Sequence, residues 1–328
     1  MGLETEKGLP LAPSFSRGKS RGVKTKLARA AWLLLGYTVL VILWGAYVRA
    51  TGSGAGCGNY WPLCNGEVIP RAPRLDTLVE LIHRISSGLL GIFVATLVVS
   101  TFRVFSKGHG ARKGALWTAF FVVTESLLGA GLVHFEWVVA NDSEARVYVM
   151  GFHLVNTFLL LAALTITAWF AEAEHEVTLS KRRELWIPLG LVTLAVLLVG
   201  STGAITALGD TLVLTAGLRP EDSPVVARLV ALRFYHPTMA IAAFVGLAII
   251  VWRYASSATR SYGRILVGLF AVQLALGALN VYLQAPVWMQ ILHLLVSDGI
   301  WITLVLFCAT SLFAPAGTLQ QLSGAEAP

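Results

Sequence analysis

Apolar residues fall in eight runs, at about 28–48, 78–102, 114–133, 147–171, 185–206, 229–252, 264–283 and 287–313, separated by short polar stretches. Each run is long enough to cross a bilayer core of roughly 30 Å as a helix, which takes about 20 residues. Lipid offers the backbone no hydrogen-bond partner, so a crossing segment must satisfy its own groups, and a single apolar run does so as an α-helix. The pattern predicts an all-α integral membrane protein with eight transmembrane helices.

The first four spans are repeated by the last four. His83 in LIHRISSG answers to His236 in FYHPTMA, and His153 in MGFHLVNT answers to His293 in ILHLLVSDG. Glu125-x3-Gly129 in the third span matches Gln273-x3-Gly277 in the seventh. The offsets of 153, 140 and 148 residues differ as loop lengths would make them differ. Four spans is an even number, so the halves run parallel and form two pseudo-symmetric four-helix bundles about an axis along the membrane normal. The expected organisation is a disordered basic tail (1–26), an N-terminal half (27–172), a linker (173–184), a C-terminal half (185–313) and a second tail (314–328).

Composition excludes the soluble alternatives. Of 328 residues, 25 are basic and 18 acidic, or 13% charged, against about 25% in soluble domains. The net charge of +7 points to topology, not to nucleic acid. Of the 25 Lys and Arg, 17, including every lysine, precede the first span or follow the second, fourth and sixth. The positive-inside rule places that side, with both termini, in the cytoplasm. The Ala28–Val48 run exceeds the 7–15 apolar residues of a signal peptide and is kept as a span.

Three of the seven histidines, His109, His134 and His175, fall in loops. His83, His153, His236 and His293 lie inside spans, about six or seven residues from the outer end of each, or roughly 9–10 Å deep at 1.5 Å per residue. A single intramembrane histidine is explained by a hydrogen bond to a neighbouring helix. Four at one depth, paired across a repeat, fit better as axial ligands, two to each haem iron. The small residues Ser86, Ser87, Gly88, Gly91, Gly129, Gly131, Gly277 and Ala278 leave space for a flat macrocycle. Pro237 is placed to bend the sixth helix.

The first outer loop, GSGAGCGNYWPLCNG over 52–66, holds Cys57 and Cys64 with six residues between them. On the oxidising side a disulfide is expected, either as a staple or as a redox-active pair. Glu80, three residues before His83, shares its helix face and can serve as an acid or base, or else pair with Arg84. Glu125 and Asp298 read as polar contacts between helices. Cys308 reads as a small apolar residue.

These segments together resemble the haem A synthase family, in its cysteine-containing branch. The resemblance rests on GAYVRATGSGAGCGNYWPLCNG (45–66), VELIHRISSGLLG (79–91), MGFHLVNT (150–157), RFYHPTMA (233–240) and ILHLLVSDG (291–299). It implies an oxidoreductase acting on a CH3 group, which converts the C8 methyl of haem O to a formyl group through a hydroxymethyl intermediate. It further implies that His236 and His293 ligate a resident haem b. His83 and His153 would face the haem O substrate, Glu80 would be the essential acid, and Cys57 and Cys64 a disulfide-forming pair. Arg49, Arg84 and Arg233 are candidates to hold haem propionates. The expected setting is the cell membrane, with haem sites near the outer face and no nucleic-acid partner. Haem O synthase, cytochrome oxidase assembly factors and a second copy of the chain are candidate partners. The rival reading is a bis-histidine di-haem cytochrome for quinone-linked electron transfer.

Overall fold

The computed structural model describes residues 15–173, 177–179 and 182–315. His175, Lys181, and the tail segments 1–14 and 316–328 lie outside them. Eight helices follow in order: α1 (Phe15–Ala50), α2 (Leu75–Val104), α3 (Gly110–His134), α4 (Glu144–Glu172), α5 (Trp186–Asp210), α6 (Pro224–Tyr254), α7 (Arg260–Tyr282) and α8 (Val287–Leu312). All eight are long and apolar enough to cross a membrane.

Helix ends overrun the apolar runs because polar caps, not lipid, terminate them. The Ser143 hydroxyl accepts from Arg146 N–H at the start of α4, and Ser223 accepts from Val226 N–H at the start of α6, where Pro224 occupies the first turn. At the start of α3, His109 Nδ1 accepts from Ala111 N–H at 3.1 Å. His134 is the last residue of α3 instead of a loop residue. One expectation about the flanks is corrected. Residues 15–26 are helical, as the polar continuation of α1, and so are not a disordered tail. In the linker, β1 (Val177–Leu179) pairs antiparallel with β2 (Phe313–Pro315) beyond α8. That ladder fixes the α4–α5 connection and the end of α8 on one side of the bundle. The Cys57–Cys64 loop is on the other.

Within each half the helices close a ring: α1 packs on α2, α2 on α3, α3 on α4 and α4 on α1, and α5 to α8 repeat the pattern. The rings meet through α4 on α8, α4 on α5 and α1 on α8. Exchanging α1 with α5 and α4 with α8 maps this seam onto itself, as a twofold relation requires. The central helix is α4, half buried along its span, whereas α3 and α7 are only 11% buried and face outward.

Small residues bring the helices together where no hydrophobic drive separates helix from lipid. On α3, Gly110 and Gly114 face α4 so closely that an added Cβ would sit 2.4 Å from the Phe170 ring and 2.5 Å from Thr167 Oγ1. Buried threonines return their hydroxyls to the preceding turn, as Thr38 does to Leu34 O at 2.8 Å and Thr165 to Leu161 O at 2.7 Å. At the seam Trp301 stacks on Phe158 at 5.0 Å and donates its indole N–H to Phe158 O.

The main apolar core is confined to one end. In α2, α4, α6 and α8 it begins at Leu90, Phe158, Ala243 and Ile300, each several residues beyond the helix's histidine. In α1, α3, α5 and α7 it ends at Val41, Val122, Val196 and Phe270. Close apolar packing therefore stops below the histidines in every helix. Above that level only smaller clusters occur, around Leu208 and Leu229 and around the two cysteines.

Candidate functional site

The four intramembrane histidines lie one on each even-numbered helix. The His83 ring rests against α1 at Gly45, where a Cβ would fall 2.8 Å from Cε1. The His236 ring rests in the same way against α5 at Gly203, with Cε1 at 2.9 Å, and His293 approaches Gly277 of α7 at 3.3 Å. His83 and His153 stand on α2 and α4 of one ring, and His236 and His293 on α6 and α8 of the other. The histidines thus pair within halves.

The four histidines do not share one depth when measured from their helix ends. His83, His153, His236 and His293 come eight, nine, twelve and six residues after the first residue of their helices. Capping starts α6 higher than α8, so helix ends do not mark a common plane. The matching glycine seats of His83 and His236 are the better sign of equivalence. α6 continues unbroken through Pro237.

Nδ1 of His83, His153 and His293 is buried without a hydrogen bond, and His236 Nδ1 shares one with the Thr202 hydroxyl at 3.2 Å. Among the described residues, no Nε2 of the four is hydrogen-bonded or sealed off. Nor do three or more His, Cys, Asp or Glu converge there to hold a bare metal ion. Two facing imidazoles suit a metal that brings its own equatorial ligands, as haem iron does. Glycine seats, Nε2 atoms without a hydrogen-bond partner and loose packing at this level all fit such a group.

Over the first pair lies the 52–66 loop. Cys57 and Cys64 form a disulfide, and both are buried against Leu81. Glu80 is 3% exposed. Its Oε2 accepts Cys57 N–H at 2.8 Å, and its Oε1 accepts Arg84 Nε at 3.1 Å and Nη2 at 2.5 Å. Arg84 Nη1 then donates to Tyr60 O at 2.9 Å and to Leu63 O. The pair is therefore also the clamp that holds the loop on α2. Gly56 completes the contact, since a Cβ there would lie 2.5 Å from the Asp76 backbone.

The three arginines differ in what they have left to offer. Arg49 reaches from α1 into the other half, donating to Ala207 O and Thr211 Oγ1, both at 2.6 Å, and to Gln290 Oε1 at 3.0 Å. Thr211 opens the π-helical turn Thr211–Thr215 that extends α5. Arg49 and Arg84 are thus taken into the framework. Arg233 donates Nε at 3.1 Å and Nη2 at 2.5 Å to Asp210 Oδ1, and its Nη1 has no acceptor among the described residues.

Glu125 does contact a neighbouring helix, through Asn156 and Thr157 of α4. Asp298 does not. It is fully buried with neither carboxylate oxygen hydrogen-bonded. Five residues beyond His293 turns it about 140° around the helix, away from the polar face. Cys308 is partly buried beside Thr193. A Cβ at Gly88, Gly91, Gly129 or Gly131 would meet nothing within 4 Å, so close helix contact does not account for these four. Gly45 and Gly203 were not singled out by the sequence pattern. Their signal was the repeated Gly-Ala of GAYVRA and GAITAL. Thr202 carried no signal.

The fold and site define a multi-pass membrane protein of two four-helix rings, each with one histidine on both of its even-numbered helices. The chain belongs to the cytochrome oxidase assembly protein family, whose model matches residues 28–305. A protein of Thermus thermophilus named protoheme IX farnesyltransferase is 45% identical over 313 residues, covering 92% of this chain and 51% of its own. A heme A synthase of Exiguobacterium is 32% identical over 164 residues, covering 50% of this chain and 52% of that protein. One of Halalkalibacterium halodurans is 45% identical over 97 residues, covering 30% and 33%. The chain spans about half the length of the first of these relatives.

Proposed function

We propose that the chain is a haem A synthase, oxidising the C8 methyl of haem O to a formyl group by two successive hydroxylations. Each hydroxylation takes its oxygen from water and releases two protons and two electrons, the electrons going to an external acceptor, and the first gives the hydroxymethyl haem. The second gives a geminal diol, which loses water to leave the aldehyde. In this reading His236 and His293 hold a resident haem b, and His83 and His153 face the substrate. Bound haem b supplies one-electron transfer.

The observation that carries the reading is the asymmetry of two otherwise matching sites. Three residues before the histidine stands Glu80 in one half and Arg233 in the other. Glu80 lies buried beneath a disulfide-closed loop, a setting suited to moving protons away from bulk water. Arg233 keeps a free guanidinium nitrogen for an anion such as a propionate. A simple electron carrier has no use for the difference. The disulfide, buried and clamped, serves as the loop's staple. The plasma membrane is the proposed setting, with the basic side and both termini cytoplasmic and the histidines nearer the outer face. A haem O synthase is the natural donor of so insoluble a substrate.

Membranes of cells that make haem O and express the chain are expected to contain haem A and its hydroxymethyl precursor on extraction. Absence of both rejects the proposal. The glycine seats give a second test. Ala is favoured over Gly in a helix by about 1 kcal/mol, yet a Cβ at either seat collides with an imidazole. Gly203→Ala should lower bound haem b and Gly45→Ala bound haem O, each with an undiminished thermal midpoint. Unchanged haem in both variants would show that the seats do not position the rings.

A further inference from the structure

We propose that Glu125 is a positioning residue for His153, and that it makes the first histidine pair chemically unlike the second. The inference rests on the reading above, in which His153 faces haem O.

Glu125 is held from three directions. Asn156 Nδ2 donates to its Oε2 at 2.6 Å, and the Thr157 hydroxyl donates to its Oε1. His153 Nδ1 stands 3.4 Å from that same Oε1, within ion-pair range but off the axis of a good hydrogen bond. Asn156 is itself fixed, since its other N–H goes to Phe121 O at 2.9 Å and its Oδ1 accepts from Thr124 at 2.7 Å. The Thr157 hydroxyl is also within 2.9 Å of His153 O, one turn back along α4. The carboxylate is thus placed by a rigid α3–α4 network, on the Nδ1 side of the ring. Nε2 has no hydrogen-bond partner among the described residues.

The second half lacks the carboxylate and the amide that fixes it, and keeps only a hydroxyl. Gln273 stands for Glu125, Val296 for Asn156 and Ser297 for Thr157. Gln273 Oε1 and His293 Nδ1 are both buried without a hydrogen bond. A carboxylate behind a ligating imidazole fixes the tautomer with Nδ1 protonated and raises the basicity of the other nitrogen. Only the first site has one. The geometry favours a fixed, electron-rich ligand where haem O is changed and a neutral one where electrons only pass.

The test is Glu125→Gln, which installs the second half's residue and keeps an oxygen to accept from Asn156, while the Thr157 hydroxyl still has His153 O as an acceptor. In detergent-purified protein with 15N-labelled histidine and no added haem O, the His153 Nδ1 resonance should move while that of His293 stays. On titration with haem O, the dissociation constant should rise about tenfold or more. The haem b spectrum and thermal midpoint should be unchanged, and Glu125→Asp should restore part of the affinity. An unmoved His153 resonance overturns the proposal, as does a lowered thermal midpoint with unaltered haem O affinity. If the wild-type protein binds no haem O while the resonance still moves, the positioning role stands and the functional reading fails.

Discussion

His236→Ala and His293→Ala should each yield a membrane-inserted protein with at least about tenfold less haem b per chain than the wild type. The size of the loss follows from the chemistry of ligation. Removing even an outer-shell partner of a metal ligand typically costs 10- to 100-fold in affinity or activity, and among the described residues no third His, Cys, Asp or Glu joins these two rings. The main core lies below both residues, so the fold should survive. The pyridine haemochrome of purified protein, normalised to protein mass, measures the outcome. A normal low-spin haem spectrum in either variant would contradict the assignment. His83→Ala should leave that haem b in place and reduce haem O binding instead.

Glu80 should show two separable effects. Glu80→Ala leaves the Arg84 guanidinium and the Cys57 N–H buried without their acceptor, and breaking a buried ion pair costs about 3–5 kcal/mol. The 52–66 loop then loses its clamp, and the thermal midpoint should fall along with turnover. Glu80→Gln keeps an acceptor for Cys57 and most of the shape but removes the carboxylate. It should retain haem b and lose less of the thermal midpoint than the Ala variant, since Arg84 keeps the carbonyls of Tyr60 and Leu63, while haem A formation falls about 100-fold or more, the usual reach of a general acid or base. Full haem A yield from the Gln variant would reduce Glu80 to a structural clamp.

The eight helices and the repeat were legible because lipid leaves a crossing backbone one solution, so hydropathy alone specifies the element. Helix ends were not, since they depend on caps such as Ser143 and Ser223 in stretches that hydropathy treats as loop. The histidine pairs were visible as repeated motifs. The partners of Arg49 were not, because its acceptors lie 158 to 241 residues away in the other half. The Glu80–Arg84 spacing suggested an ion pair. Nothing in that spacing told that Arg84 would also gather the carbonyls of Tyr60 and Leu63, which requires the loop to fold back over α2. Glu125 and Asp298 looked alike in sequence, as single carboxylates in apolar spans. Their surroundings separate them, since one is ringed by donors and the other has none.

The central claim is that two matching histidine pairs in one chain hold different haems, one retained and one transformed. Acid–acetone extraction of pigment from protein purified out of haem O-producing cells tests this most directly. The account predicts haem b together with haem O, its hydroxymethyl derivative or haem A, with His236→Ala removing the first and His83→Ala the others. Two equivalents of haem b per chain, with no haem O or haem A, would contradict it and leave a di-haem electron carrier.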